Sequence, residues 1–160
     1  MMKAKDLKIV TLSENTVAGR DLLGEWGLSF FVKTADDCFL FDTGSLGTAA
    51  VNAEILGVDL SEARRILLSH GHFDHIGGLP QVMRSIGRKP VPLYGHPDIL
   101  GRKYSKKGDR YHYAGPPWNS DEFDRLGVEF HYSAEPVWFG DDIVLSGEEP
   151  MTTDLSLIHI

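Results

Sequence analysis

The sequence predicts an α/β layered architecture, on three observations. Short apolar runs of strand length alternate with segments that carry helical spacing and helix end signals. The runs at 28–33 and 38–41 are apolar at nearly every position, the pattern of strands covered on both faces. The chain, at 160 residues, has the length of one domain and enough material for one core. Strands and helices alternating within one domain pack as layers.

Residues 7–12 predict the first strand. Residues 13–27 contain Asn15, Gly19, Gly24 and Gly27, the composition of a mobile loop. Strands over 28–33 and 38–41 flank the polar turn Thr34-Ala35-Asp36-Asp37 and predict a hairpin. Residues 48–56 place Ala49, Ala50, Ala53 and Leu56 at helical spacing and close on Gly57, a helix with a glycine stop. A turn at 59–63 leads into a strand over 64–69. Gly77-Gly78-Leu79-Pro80 then opens a helix with proline at an early position, running through Val82, Met83 and Ile86 to Gly87. The positive end of that helix dipole would suit an anionic substrate group. Residues 91–94 predict another strand, which ends in Gly95-His96-Pro97.

Residues 101–118 change character. Arg102, Lys103, Lys106, Lys107 and Arg110 interleave there with Tyr104, Tyr111, Tyr113 and Trp118. Such a mixture can hold an anionic aromatic ligand by charge and stacking. It reads, in the first place, as a solvated insert whose aromatics pack on the core. Gly115-Pro116-Pro117 predicts irregular structure. Ser120 is expected to cap a short helix that stops at Gly127. Residues 128–132 alternate as a strand, with His131 pointing opposite to Phe130 in a structural role. Residues 136–139 and 143–145, divided by Gly140-Asp141-Asp142, predict a second hairpin.

Composition narrows the function classes. The hydrophobic share, 42%, is ordinary for a globular protein. Sixteen basic against 23 acidic residues give a net charge of −7. That balance argues against nucleic acid as the main partner, because no basic face is available to neutralise phosphates. A small-molecule substrate fits better, an anionic one included, since a bound metal would dominate the local charge. The one cysteine, Cys38, lies in an apolar run and reads as a buried, inert thiol. No secretory signal and no membrane-length apolar run is visible, so the expected compartment is the cytoplasm. No residue pattern specifies an oligomeric state.

The chemistry concentrates in His70, Gly71, His72, Phe73, Asp74 and His75, directly after the apolar run 65–69. Three imidazoles and a carboxylate within six positions suit zinc, iron, manganese or nickel. The pattern H-x-H-x-D-H after an apolar strand, followed by Gly77-Gly78-Leu79, resembles the metallo-β-lactamase-fold hydrolases. The resemblance implies an αββα sandwich, of which this chain would form the N-terminal part. It implies two divalent metal ions, zinc first, with iron or manganese as alternatives. His70 and His72 would hold one ion, and Asp74 and His75 the other. Asp74 would also be catalytic, orienting the attacking hydroxide or taking its proton. Leu40-Phe41-Asp42-Thr43-Gly44 is similar to a strand end of the same superfamily, in which the aspartate supports the histidine loop. On residues alone, Asp42 could equally be a turn former. His96 would line the substrate pocket without being a ligand, or serve only the turn in which it sits. The implied activity is hydrolysis of a small phosphorylated or ester-bearing molecule by a metal-activated water.

Within the superfamily, Glu14-Asn15, Gly24-Glu25-Trp26-Gly27-Leu28-Ser29, LFDTG and SHGHFDHIGGL most resemble the subgroup of dihydropterin-linked ribofuranosylaminobenzene phosphate synthases, over about residues 7–150. That resemblance keeps a pterin-related synthase open as an alternative. A di-iron redox protein ranks lower, because no flavodoxin-like segment follows. The motif also lacks the later ligands that a two-metal site of this kind uses. The chain is therefore expected to be one domain over 1–160 that breaks off within the fold, and a catalytically dead fragment is a further alternative. The tail 155–160 is expected to be non-native sequence.

Overall fold

The computed structural model describes residues 3–87 and 90–149. The expected tail at 155–160 lies outside the described residues. After a 3-10 turn at Ala4–Asp6, strands β1 (Lys8–Ser13), β2 (Ser29–Lys33) and β3 (Cys38–Phe41) form an antiparallel meander. The turn joining β2 to β3 is closed by Thr34, whose N–H donates to the Asp37 carbonyl at 2.8 Å. Helix α1 (Thr48–Ile55) carries the chain to β4 (Arg65–Leu67), which lies parallel to β3. Two helices follow, α2 (Phe73–Ile76) and α3 (Leu79–Ile86), and then β5 (Val91–Gly95), parallel to β4. A hairpin of β6 (Tyr104–Lys107) and β7 (Arg110–Tyr113) precedes α4 (Ser120–Asp124). Strand β8 (Val128–Tyr132) completes a six-stranded sheet of order β1-β2-β3-β4-β5-β8. The last hairpin is β9 (Val137–Phe139) with β10 (Ile143–Leu145).

Register explains why these apolar runs make layers. Val10, Phe31, Leu40, Ile66, Leu93 and Phe130 stand side by side across all six strands and face the main core. Helices α1 and α3 cover that face with Ala49, Ala53, Leu79, Val82, Met83 and Ile86, all buried. Neighbouring residues turn the other way. Phe30, Phe41, Leu67 and Tyr94 meet Phe139 and Ile143 of the β9–β10 hairpin. Strands covered on both faces are what the continuous apolar runs predicted. Each fully buried Leu or Ile in these layers contributes about 1.5–3 kcal/mol relative to exposure. Cys38 is buried and unpaired, as expected, and burial pushes its thiol up to about 11. His131 stacks on Tyr94 with ring centroids 4.6 Å apart, a packing role. Among the described residues, no helix is long and apolar enough to cross a membrane.

Four local expectations differ from the structure. The loop 14–28 is irregular but pinned. Asn52 of α1 is buried, donates to the carbonyls of Leu12 and Leu23 at 2.8 Å each, and accepts from the Leu23 N–H at 2.9 Å. Leu56, the C-cap of the same helix, is exposed, whereas periodicity assigned it to the apolar face. The basic–aromatic stretch forms a regular hairpin, because Gly108 at φ +61° takes the first place of a two-residue turn. Its tyrosines stay exposed rather than packing on the core. Finally, α4 is capped one residue earlier than expected. Asn119 and Glu122 exchange side-chain-to-backbone bonds of 2.9 and 3.0 Å, a reciprocal capping box.

Candidate metal centre

Strands β3, β4 and β5 run parallel, so their carboxyl ends open on one edge of the sheet. Asp42 follows β3, the histidine motif follows β4, and His96 follows β5. Open α/β sheets characteristically bind ligands at that edge.

Asp42 is the organising residue. It is fully buried, with a left-handed backbone at φ +56°, which Asp tolerates better than most residues. One carboxylate oxygen accepts from the Ser69 N–H at 2.8 Å; the other accepts from the Ser69 hydroxyl at 2.7 Å. His75 Nδ1 lies 2.7 Å from that second oxygen. This contact places the imidazole proton on Nδ1 and leaves Nε2 with its lone pair. Burial pulls the His75 pKa down, but the hydrogen bond to Asp42 and the charges of Asp42 and Asp74 outweigh it and hold the group above its ordinary value.

The four motif donors divide between two kinds of local structure. His70 extends from β4, with Nδ1 3.0 Å from the Ser69 hydroxyl. His72 is the N-cap residue of α2 and makes no side-chain cap bond, and Asp74 and His75 ride on that helical turn. The His70 ring lies 4.5 Å from that of His72 and 4.1 Å from that of His75, centroid to centroid. Asp74 Oδ2 lies 3.7 Å from His75 Nε2. The rings of His70, His72 and His75 thus lie side by side, with Asp74 next to His75. His96 is engaged elsewhere. Its Nδ1 accepts from the Asp98 N–H at 3.1 Å, capping the 3-10 turn Pro97–Leu100, and Nε2 lies 3.7 Å from the Glu148 carboxylate.

Backbone contacts hold the motif in this form. The Phe73 N–H donates to the Ala114 carbonyl at 2.9 Å. The carbonyls of Asp74 and His75 accept from the N–H groups of Leu28 at 3.1 Å and Thr43 at 2.7 Å. Gly71, Gly77 and Gly78 are required by close approach. A Cβ on them would fall 1.7 Å from the Ile99 oxygen, 2.1 Å from the Ser45 oxygen and 2.0 Å from the Thr43 oxygen. Glu25 ties the 44–46 turn to the preceding loop by accepting from Ser13 Oγ and from the N–H groups of Ser45 and Leu46 at 3.0–3.1 Å. Sequence reasoning missed Ser69, Glu25 and Asn52 as supports. Of these, Ser69, directly before the first histidine, was the one with a positional signal.

Among the described residues, no set of three or more His, Cys, Asp or Glu side chains is arranged to enclose a metal ion. The donor chemistry nevertheless fits one. His75 has a fixed tautomer with Nε2 turned away from its buried carboxylate, the usual way a ligating imidazole is oriented.

Comparison with known proteins bears on the family of the chain. The chain is 28% identical over 154 residues to the 7,8-dihydropterin-6-methyl-4-(β-D-ribofuranosyl)-aminobenzene-5′-phosphate synthase of Methanocaldococcus jannaschii, covering 91% of this chain and 52% of that protein. It is 30% identical over 102 residues to a probable metallo-hydrolase of Bacillus subtilis, covering 62% of this chain and 40% of that one. A crystal structure described as a metal-dependent hydrolase of the β-lactamase superfamily superposes with a TM-score of 0.66 at 28% identity, over 86% of this chain and 46% of that chain. The chain thus spans about half the length of the relatives it matches. The family model described as the metallo-beta-lactamase superfamily matches residues 27–154, and the chain belongs to that superfamily.

Proposed function

We propose that this chain carries the metal-binding half of a metal-dependent hydrolase acting on a small phosphorylated or ester-bearing molecule. The observation that carries the reading is the buried Asp42 carboxylate. It fixes His75 and Ser69 in one network, beside two further imidazoles and Asp74, at the carboxyl ends of the parallel strands β3, β4 and β5.

In this reading His70 and His72 would hold one divalent ion, and Asp74 and His75 a second, zinc being the best match to imidazole and carboxylate, with iron or manganese next. Such ions supply Lewis acidity and lower the pKa of a bound water. The chain's own residues do the rest. Asp42 keeps the His75 proton on Nδ1. Asp74, whose Oδ2 lies 3.7 Å from His75 Nε2, would orient the attacking water or take its proton. The buried, unpaired Cys38 fits a reducing compartment such as the cytoplasm.

The test has two parts. Elemental analysis of the purified chain should find stoichiometric zinc, iron or manganese, lost in a His70→Ala/His72→Ala variant. Turnover of a panel of aryl phosphates and carboxylic esters should then fall by at least about 100-fold in Asp74→Asn, the order of a general acid–base contribution. Undiminished turnover in that variant would refute the role of Asp74. A second reading, a synthase acting on a pterin-related substrate, is favoured by the relative matched over 91% of this chain. Product analysis with a pterin and a phosphoester separates group transfer from hydrolysis.

A further inference from the structure

The hairpin β6–β7 is built unlike the rest of the surface. Cross-strand register pairs Tyr104 with Tyr113 and Lys106 with Tyr111, and the alternation of strand side chains puts all four on one face. Tyr104 and Tyr113 meet edge to face at 5.5 Å, and the Lys106 ammonium lies 5.7 Å from the Tyr111 ring centroid. The three tyrosines are 39%, 64% and 50% exposed for Tyr104, Tyr111 and Tyr113. An isolated two-stranded hairpin is marginal in water, and an aromatic face left partly exposed adds little to its stability. Charge sets the segment apart as well. Residues 102–113 hold five basic side chains against Asp109 alone, in a chain of net charge −7.

The base of this hairpin is fastened to the donor cluster. The Ala114 N–H donates to the Lys103 carbonyl at 2.8 Å, closing the hairpin, and the Ala114 carbonyl accepts from Phe73, the first residue of α2. The Lys103 ammonium donates to the carbonyls of Asp98, Ile99 and Gly101 at 2.7–3.2 Å, locking the turn against which Gly71 packs.

We propose that this hairpin is the substrate-recognition arm of the site and that its ligand is a small aromatic phosphate. The tyrosine face would stack the ring, and Lys106 on that same face would neutralise the phosphate. The proposal rests on the reading of the donor cluster as the reacting centre, but its test does not require turnover. Binding of 1-naphthyl phosphate to the whole chain would be followed by equilibrium dialysis in the presence of a chelator, so that no metal contributes. Lys106→Gln/Tyr111→Leu should weaken binding at least tenfold, and Lys106→Gln alone, which keeps every ring, should weaken it several-fold. Lys5→Gln removes the same single positive charge from another part of the surface and should change it less than twofold. 1-Naphthol and inorganic phosphate should each bind at least tenfold more weakly than the naphthyl phosphate. Equal affinity in the hairpin and control variants, with unchanged melting temperatures, would overturn the proposal. So would inorganic phosphate binding as tightly as the naphthyl ester. Tighter binding of a single-stranded oligouridine would overturn it in favour of RNA. Loss of hydrolysis in Asp74→Asn with naphthyl phosphate binding intact would leave both readings standing. Binding without any hydrolysis in the metal-loaded chain would sink only the hydrolase.

Discussion

Asp42→Asn is the sharpest perturbation available, because it changes one atom and leaves the backbone conformation acceptable. Asn tolerates the left-handed region as Asp does, so φ +56° adds little cost. The carboxylate accepts three hydrogen bonds at 2.7–2.8 Å in a fully buried position. The asparagine oxygen can keep the bond from the Ser69 N–H. Its NH2 group must then face Ser69 Oγ and His75 Nδ1, both donors in the parent. Each of those bonds falls from the charge-assisted to the neutral class, a loss of about 1 kcal/mol apiece. The total is about 2 kcal/mol, which at this chain length lowers the melting temperature by about 6 °C. The functional consequence is larger. To accept from the asparagine NH2, His75 must move its proton to Nε2, the nitrogen available to a ligand. Zinc affinity should drop about 10–100-fold, the usual effect of removing a carboxylate partner from a ligating histidine. Differential scanning calorimetry and a zinc competition titration against a chromophoric chelator would read the two effects. Unchanged zinc affinity in Asp42→Asn would refute the assignment of Asp42 as the group that orients His75.

Three further outcomes are expected. Gly78→Ala places a methyl 2.0 Å from the Thr43 oxygen and should cost about 3 kcal/mol or more, whereas Gly57→Ala, at φ +66° with nothing within 4 Å, should cost only about 1–2 kcal/mol; urea melts of the two compare them directly. Asn52→Leu removes three hydrogen bonds and leaves the carbonyls of Leu12 and Leu23 without that partner, so it should destabilise by about 2–4 kcal/mol, with proteolysis between residues 14 and 28 as the readout. Cys38 has a folded pKa of about 11, while an exposed thiol ionises near about 8.5; stability tied to the neutral thiol is therefore complete below the lower value and is lost as pH rises toward the higher. A Cys38→Ala variant should show a shallower loss of stability over that window in denaturant melts.

Much of the architecture was readable from the chain because its signals were local. Proline at an early position and glycine at the end marked α3, and Gly57 marked the end of α1. The continuous apolar runs over 28–33 and 38–41 pointed to strands covered twice. What escaped had no apolar period. The β6–β7 hairpin is exposed on both faces, so its alternation of Tyr104 and Lys106 with Tyr111 and Tyr113 carried no burial signal. Its Gly108-Asp109 pair was the only local cue. Asn52 and Glu25 escaped for a different reason. Their partners lie far along the chain, and a polar side chain does not announce which distant backbone it will satisfy. In the motif, chemistry was legible in the residue types, but the helical turn under Asp74 and His75 was not. That turn is four residues long, too short for any periodicity.

The short helix α2 has a consequence for how the molecule assembles. Its N–H and carbonyl groups are held by Leu28, Thr43 and Ala114, three segments that enter the fold separately. None of those bonds can form until the intervening loops have closed, and loop closure is what slows folding. The donor cluster is thus a late product of folding rather than a nucleus for it. Once formed, it can open only by separating several elements at once. Amide hydrogen exchange at Leu28, Thr43 and Phe73 should therefore proceed at the rate of global unfolding, while the amides of the β6–β7 turn exchange by local fluctuation. The most chemically loaded stretch of the chain would then be among its last to fold and its last to come apart.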